Sequence, residues 1–171
     1  MRRIVSNAPP LIYLAKIGKL DFLRNVFDEA IIPEEVRDEV VNRGKQLKHG
    51  DAFVIEKAIQ EGWLKVRKSD LLESPIKLET GEMAVISLAK KLGLEHVLID
   101  ETLARAAASL SGLKARGTMF VLLRVLEEEE IDLDGFLDSM DRLIEQGFRL
   151  REEVYLEALR KARKIVGSKS G

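Results

Sequence analysis

Polar side chains that carry oxygen atoms follow several predicted strands of this chain. Asn7 comes directly after the β-type run at residues 4–6, and Asp100 and Glu101 come directly after the buried run at 97–99. Ligands of open parallel sheets bind beyond the carboxyl ends of the strands, so these side chains are the first candidates for chemistry. Mg²⁺ is usually held by one or two carboxylates with waters and phosphate oxygens. The pattern therefore favours a divalent metal site.

Each acidic residue of interest also has a purely structural explanation. Asp100 can cap the helix predicted to begin at Thr102, because aspartate is a common N-cap residue. Glu82 lies in the first turn of another predicted helix, where it can complement the helix dipole or pair with an N-cap at Thr80. Glu39 is one of several acids on its helix, where it can simply be solvated. Taken singly, these residues leave both explanations open.

Strand and helix signals alternate along most of the chain. Short apolar or alternating runs predict strands at residues 4–6, 30–32, 63–67, 96–99 and 113–116. Helical periodicity with proline, glycine and N-cap signals predicts helices at residues 9–18, 20–27, 33–44, 51–61, 80–92, 102–110, 118–126, 134–145 and 151–165. Residues 69–78 are predicted to form a loop. This alternation is typical of a largely parallel α/β sheet, with one domain over residues 1–166 and a flexible tail at 167–171.

The composition limits the class of protein further. The 171 residues suit one domain, and a net charge of −1 is not the charge of a protein that coats nucleic acid, although a local grip on RNA is compatible with it. The chain contains no cysteine, which excludes disulfides and thiolate metal sites. No apolar run is long enough to span a bilayer and no signal peptide is evident, so we expect a cytoplasmic protein without membrane contact.

A set of short motifs, taken in order, resembles the PIN-domain family, in particular a prokaryotic branch that is common in archaea. The motifs are VSNAPPLI at residues 5–12, IPEEVRDEV at 32–40, GEMAVISLA at 81–89, LIDE at 98–101 followed by Arg105, GT at 117–118 and GFRL at 147–150. The resemblance covers about residues 3–160. It implies a three-layer α/β fold with a central, mostly parallel five-stranded sheet, and a ribonuclease that depends on Mg²⁺ or Mn²⁺.

The resemblance also implies a catalytic and metal-binding set. Asn7 stands where the family has its first aspartate, and Glu39, Glu82 and Asp100 stand at the positions of the other acids. An amide oxygen can ligate a hard cation but brings no charge, so Asn7 weakens the expected metal affinity. The departure at Asn7 therefore puts catalysis in question while leaving the predicted fold unchanged.

Three further residues are candidates for binding the substrate. Glu101 is a spare acid beside Asp100. Thr118 either orients a phosphate or a metal-bound water, or only caps its helix. Arg105 either contacts a phosphate or forms an i,i+4 ion pair with Glu101, a pair that contributes a few tenths of a kcal/mol. His96 begins a strand, and we interpret it as structural.

Two functions are compatible with these observations. The first is a metal-dependent endoribonuclease acting on single-stranded RNA, as the toxin of a toxin–antitoxin pair. The second is a catalytically weak or inactive PIN-like module that binds RNA or a protein partner. Asn7 favours the second function and the three remaining acids favour the first. The apolar residues of the C-terminal helices leave room for a homo-oligomer or an antitoxin-like partner.

Overall fold

The computed structural model describes residues 2–70 and 78–170 of the chain. In these residues a five-stranded parallel sheet has the order β3-β2-β1-β4-β5. The strands are β1 (Arg3–Ser6), β2 (Glu29–Pro33), β3 (Leu64–Arg67), β4 (His96–Leu98) and β5 (Lys114–Arg116). The predicted fold class, an α/β sheet flanked by helices, is confirmed. The strand order reverses between β1 and β4, which places the expected ligand crevice beyond their carboxyl ends.

Helices connect and cover the strands. They are α1 (Ala8–Lys16), α2 (Phe22–Val26), α3 (Glu34–Arg37), α4 (Gly44–Gln46), α5 (Gly50–Gln60), α6 (Thr80–Lys91), α7 (Thr102–Leu110), α8 (Thr118–Glu127), α9 (Leu133–Glu145) and α10 (Glu152–Lys169). The predicted helix at 33–44 is divided, because a π-helical segment (Asp38–Arg43) separates α3 from α4. Most of the predicted loop at 69–78 lies outside the described residues, as does residue 171 of the predicted tail.

Two predicted N-caps are wrong by one residue, and one predicted boundary falls inside a helix. Glu79 rather than Thr80 is the N-cap of α6, and Gly117 rather than Thr118 is the N-cap of α8. Helix α10 continues to Lys169, so the predicted end of the domain at residue 166 lies within it. The later end is consistent with the sequence, since no proline follows Ile165 to stop the helix.

Burial on both faces of the sheet explains the layered architecture. Ile4 and Val5 of β1 are both fully buried, as are Ile31 and Ile32 of β2. Because successive strand residues point to opposite faces, each such pair requires apolar cover above and below the sheet. The helices supply that cover, and the carboxyl edge of the sheet is left for polar side chains. Within the described residues, no helix is both long enough and apolar enough to cross a bilayer.

Candidate functional site

A cleft of about 410 Å³ opens beside Asn7 at the carboxyl edge of the sheet. It is lined by Asn7, Pro9, Glu39, Leu78, Glu79, Gly81, Glu82, Glu101 and Leu103. The cleft thus brings together four of the seven side chains that the sequence singled out. Four carboxyl groups and one amide supply its polar atoms, and no lysine or arginine is among the lining residues that the structure describes.

Asn7 lies at the floor of this cleft. It continues the pairing of β1 with β4, because its backbone N–H donates to the Leu98 carbonyl at 2.9 Å. Asn7 is also the N-cap of α1, yet its side chain makes no capping hydrogen bond. Only 2% of the residue is exposed. The amide therefore occupies a buried position in the strand-order crevice without serving the helix that follows it.

Glu39 and Gly81 define the wall next to Asn7. Glu39 is half-buried on the π-helical segment, a backbone form that is frequent at functional sites. A Cβ atom at Gly81 would lie 3.3 Å from Glu39 Oε2 and 3.8 Å from Asn7 Oδ1. The absence of a side chain at Gly81 thus keeps open the space that these two oxygen atoms share. This open space suits a small ligand that is bound by oxygen atoms.

Glu82 and Glu79 approach the cleft from the start of α6. The Glu82 carboxylate accepts a hydrogen bond from the Glu79 backbone N–H at 3.2 Å, within a capping box at this helix end. Glu82 therefore has the predicted capping role, but its partner is the N-cap Glu79 and not Thr80, and the same side chain also lines the cleft. Glu79 was missed by the sequence reasoning. The available signal was an acid three residues before Glu82, immediately ahead of a helix.

The carboxyl groups of the cleft oppose one another electrostatically. Burial raises the pKa of Glu39, and the nearby charge of Glu79 raises it further. Burial also raises the pKa of Glu82, assisted by the charges of Glu79, Glu101 and Glu39, while the hydrogen bond from the Glu79 backbone acts in the opposite direction. Ionising these carboxyl groups costs free energy unless a bound cation compensates their charge, and without a cation they retain protons more readily. The cleft therefore favours cationic ligands and proton uptake.

Asp100 is bound to the start of α8 and does not line the cleft. One carboxylate oxygen, Oδ1, accepts from the Thr118 backbone N–H at 2.7 Å, and Oδ2 accepts from Thr118 Oγ1 at 2.7 Å. The prediction that Asp100 caps α7 is wrong, because Glu101 is the N-cap of that helix. Burial raises the pKa of Asp100, and the two Thr118 hydrogen bonds and the Arg105 charge counteract this effect.

Arg105 holds the ends of β4 and β5 together. Its guanidinium donates to the Ile99 carbonyl at 2.9 Å and to the Ala115 carbonyl at 3.3 Å. An ion pair with Glu101 is not present in the described residues, so that prediction is wrong. A Cβ atom at Gly117 would lie 2.8 Å from Asp100 Oδ1 and 3.2 Å from Arg105 Nη1. Glycine at residue 117 therefore lets the Asp100 carboxylate and the guanidinium approach the same stretch of backbone.

The kinds of oxygen ligand in the cleft suit a metal ion, but their arrangement does not. The amide and carboxylate oxygens of Asn7, Glu39 and Glu82 are the hard ligands that Mg²⁺ and Mn²⁺ prefer. Over residues 2–70 and 78–170, however, no three acidic or histidine side chains are arranged so that they could hold one ion. Glu82 is also engaged at the helix start. A metal would require this side chain to exchange its capping bond for the ion.

The chain is thus a parallel α/β domain with an acidic cleft at the carboxyl edge of its sheet. The family model DUF3368, described as a PIN domain, matches residues 3–164, so the chain belongs to the PIN-domain family. Among solved structures, the chain is similar to a domain of a functionally unknown protein from Methanocaldococcus jannaschii DSM 2661. That match has a TM-score of 0.46 and 19% identity, over 68% of this chain and 91% of the other. No curated protein matches the chain.

Proposed function

We propose that the protein is an endoribonuclease that uses Mg²⁺ or Mn²⁺ to hydrolyse phosphodiester bonds in single-stranded RNA. The observation that carries this proposal is the convergence of Asn7, Glu39 and Glu82 on one cleft at the carboxyl edge of a PIN-domain sheet. PIN domains are commonly nucleases, and oxygen donors at this edge are the groups that such chemistry uses.

In this proposal the polar residues divide the chemistry among them. Asn7, Glu39 and Glu82 would hold the divalent ion, which when bound lowers the pKa of water and stabilises charge on phosphate oxygens. Glu101, which is exposed and lines the cleft, would accept a proton from the water that attacks phosphorus. As the new P–O bond forms, the bond to the leaving ribose oxygen breaks, and that oxygen takes up a proton from solvent.

Asp100, Thr118 and Arg105 have a supporting role in this proposal. Arg105 joins the ends of β4 and β5 through the Ile99 and Ala115 carbonyls, and the bond between Asp100 and Thr118 fixes the first turn of α8. Asp100 is then a positioning residue as long as its carboxylate stays bound to Thr118. Asp100 would therefore not bind the metal directly, and Glu101 would take part in the reaction as a proton acceptor.

A second function is favoured by a specific observation. Asn7 brings no charge, and the described acids are not arranged to hold one ion. Both facts suit a PIN-domain module that has lost catalysis and binds RNA or an antitoxin-like protein. The amide at residue 7 makes the two functions separable by experiment.

Cleavage of single-stranded RNA in Mn²⁺ tests the proposal. The wild type should cleave. Glu39→Gln should lower the rate of cleavage by at least about 10-fold, because glutamine keeps the shape of the side chain but removes the charge of the ligand. Glu34→Gln, which changes an exposed acid on the preceding helix, is the matched control and should cleave as the wild type does. Asn7→Asp should raise the rate by restoring a charge. Cleavage that appears only in Asn7→Asp would establish the non-catalytic function instead.

A further inference from the structure

The acid-lined cleft leaves the source of RNA affinity unexplained. Glu39, Glu79, Glu82 and Glu101 surround the cleft, and the described lining residues include no lysine or arginine. A phosphodiester chain is repelled by such a surface until a cation neutralises it. Affinity for single-stranded nucleic acid usually comes from a positively charged groove or patch. If the protein acts on RNA, as the proposed function holds, a cationic surface elsewhere must retain the strand.

Helix α10 carries such a surface on its C-terminal half. Between residues 158 and 170 the chain contains five lysines and arginines and no acid. Four of these side chains lie on two successive turns and are exposed: Arg160, Lys161, Arg163 and Lys164. The opposite side of the same helix segment is buried through Ala158 and Ala162. The cations therefore form the outer face of a helix that is fixed to the domain.

Most of these cations have no partner among the residues that the structure describes. Lys161 pairs with Glu157 at 3.1 Å. Within residues 2–70 and 78–170, Arg160, Arg163 and Lys164 form no ion pair and no side-chain hydrogen bond. The helix dipole does not explain them either, because its effect is confined to the last turn of a helix. Arg160 lies nine residues before the last helical residue, Lys169.

We propose that the outer face of α10, formed by Arg160, Lys161, Arg163 and Lys164, binds the phosphate backbone of single-stranded RNA. Arginine and lysine on consecutive turns provide several phosphate contacts that need no base sequence. A lipid surface fits less well, because membrane-binding helices present an apolar face. Here Ile165 and Val166 already pack against the core. The net charge of −1 also makes this cationic face a local feature of the molecule.

The position of this face predicts a dependence on RNA length. Lys169 pairs with Glu129 just beyond the end of α8, and Arg2, just before β1, pairs with Glu128. The end of α10 at Lys169 therefore lies toward the amino end of the sheet, whereas the cleft lies at its carboxyl edge. Arg160 and Lys164 lie about 14 Å and about 8 Å before Lys169 along the helix axis, and none of the four cations lines the cleft. A strand must be several nucleotides long to reach both surfaces.

RNA binding by a neutralised variant of the full chain tests this inference. The triple variant Arg160→Gln, Arg163→Gln, Lys164→Gln is compared with the wild type on a fluorescent oligouridine of about 20 nucleotides, in EDTA and at several salt concentrations. We expect its Kd to rise roughly 10-fold or more at about 0.1 M salt, and the slope of log Kd against log salt to fall by about 2. A tetranucleotide should lose less affinity, because it offers few phosphates to the cationic face.

A control variant and a competitor decide among the alternatives. Lys16→Gln, Lys48→Gln, Lys57→Gln changes the net charge equally on other elements and should bind as the wild type does. An equal loss in this control, or an unchanged Kd in the α10 variant, overturns the inference. So does displacement of RNA by polyglutamate at equal concentration, which would indicate an acidic protein partner. Because binding is measured in EDTA, absence of cleavage would refute the proposed function and leave this inference standing.

Discussion

At the scale of single residues, charge crowding distinguishes the cleft from the many acids on the surface. Glu39 and Glu82 are half-buried and stand close enough to Glu79 for their pKa values to rise. Asn7, at the floor of the same cleft, reduces this repulsion by contributing an oxygen without a charge. A single amide thus relaxes the electrostatic cost of the cleft in the absence of a cation, and also reduces the field available to bind one.

The raised pKa of Glu39 predicts how pH affects stability. Its folded-state pKa lies above the ordinary value of 4.5, so ionisation penalises the folded state. That penalty is absent below the ordinary value and fully present above the raised pKa. In EDTA, Glu39→Gln should therefore have a higher free energy of unfolding than the wild type at pH 7, and the difference should vanish near pH 4. Urea denaturation at both pH values measures it. A stability advantage of the Glu39→Gln variant that stays constant with pH would refute the raised pKa.

At the scale of elements, the first turn of α6 forms the wall of the cleft. Gly81 lies at the second position of that helix, and its missing Cβ leaves room beside Glu39 Oε2 and Asn7 Oδ1. An α-helix gains stability from alanine in place of glycine, so glycine at residue 81 lowers helix stability while it leaves this space open.

Gly81→Ala should raise the free energy of unfolding and at the same time weaken the binding of Mn²⁺. Alanine at a compatible helical position adds about 0.4–1 kcal/mol to the free energy of unfolding. The new methyl group would displace Glu39 Oε2 and weaken Mn²⁺ binding. Gly50→Ala, in the first turn of α5 with open space around the added atom, is the matched control and should change stability alone. Calorimetric titration with Mn²⁺ measures the effect, and equal binding by both variants would contradict it.

A second feature at this scale is the bond between Asp100 and Thr118. It joins the end of β4 to the first turn of α8, two elements that are not adjacent in the chain. Thr118 is fully buried, so its hydroxyl group depends on this partner. The bond therefore fixes the corner of the sheet next to the cleft.

A double-mutant cycle should detect this bond directly. Thr118→Val removes the hydroxyl and should lower the free energy of unfolding by about 1.5–3 kcal/mol, as for hydrogen bonds to charged groups. In an Asp100→Ala background the same substitution should cost much less, because the carboxylate partner is already gone. Urea denaturation of the four proteins gives the coupling. A Thr118→Val cost that is equal in both backgrounds would mean that the hydroxyl does not stabilise the fold through Asp100.

At the scale of the whole molecule, the sequence predicted the sheet and its helices because strands buried on both faces leave a clear apolar pattern. Residues 30–32 and 96–99, for example, fall within or next to observed strands. The π-helical turn that carries Glu39 was not predictable, since its composition matches an ordinary helix. The link from Asp100 to Thr118 was also missed. It spans 18 residues and depends on β4 pairing with β5, which single residues do not reveal.

The candidate site was predicted only in part, because only some of its residues follow from the pattern of strands. The position of Asn7 in the site could be predicted from the strand that precedes it, whereas Glu39 and Glu82 could be assigned to the site only through the family motifs. Glu79 joins the cleft through a capping geometry that brings it back beside Glu82. The cationic face of α10 was not predicted, because its exposure depends on which side of the helix packs against α8.

Direct titration with Mn²⁺ tests the central claim, that the cleft around Asn7, Glu39 and Glu82 is a divalent-metal site. Isothermal titration calorimetry compares the wild type with Glu39→Gln, and with Glu34→Gln as the control of equal charge. The account predicts that the wild type and the Glu34→Gln variant bind Mn²⁺ alike, and that Glu39→Gln binds at least about 10-fold more weakly. Equal Mn²⁺ binding by Glu39→Gln and the wild type would contradict it.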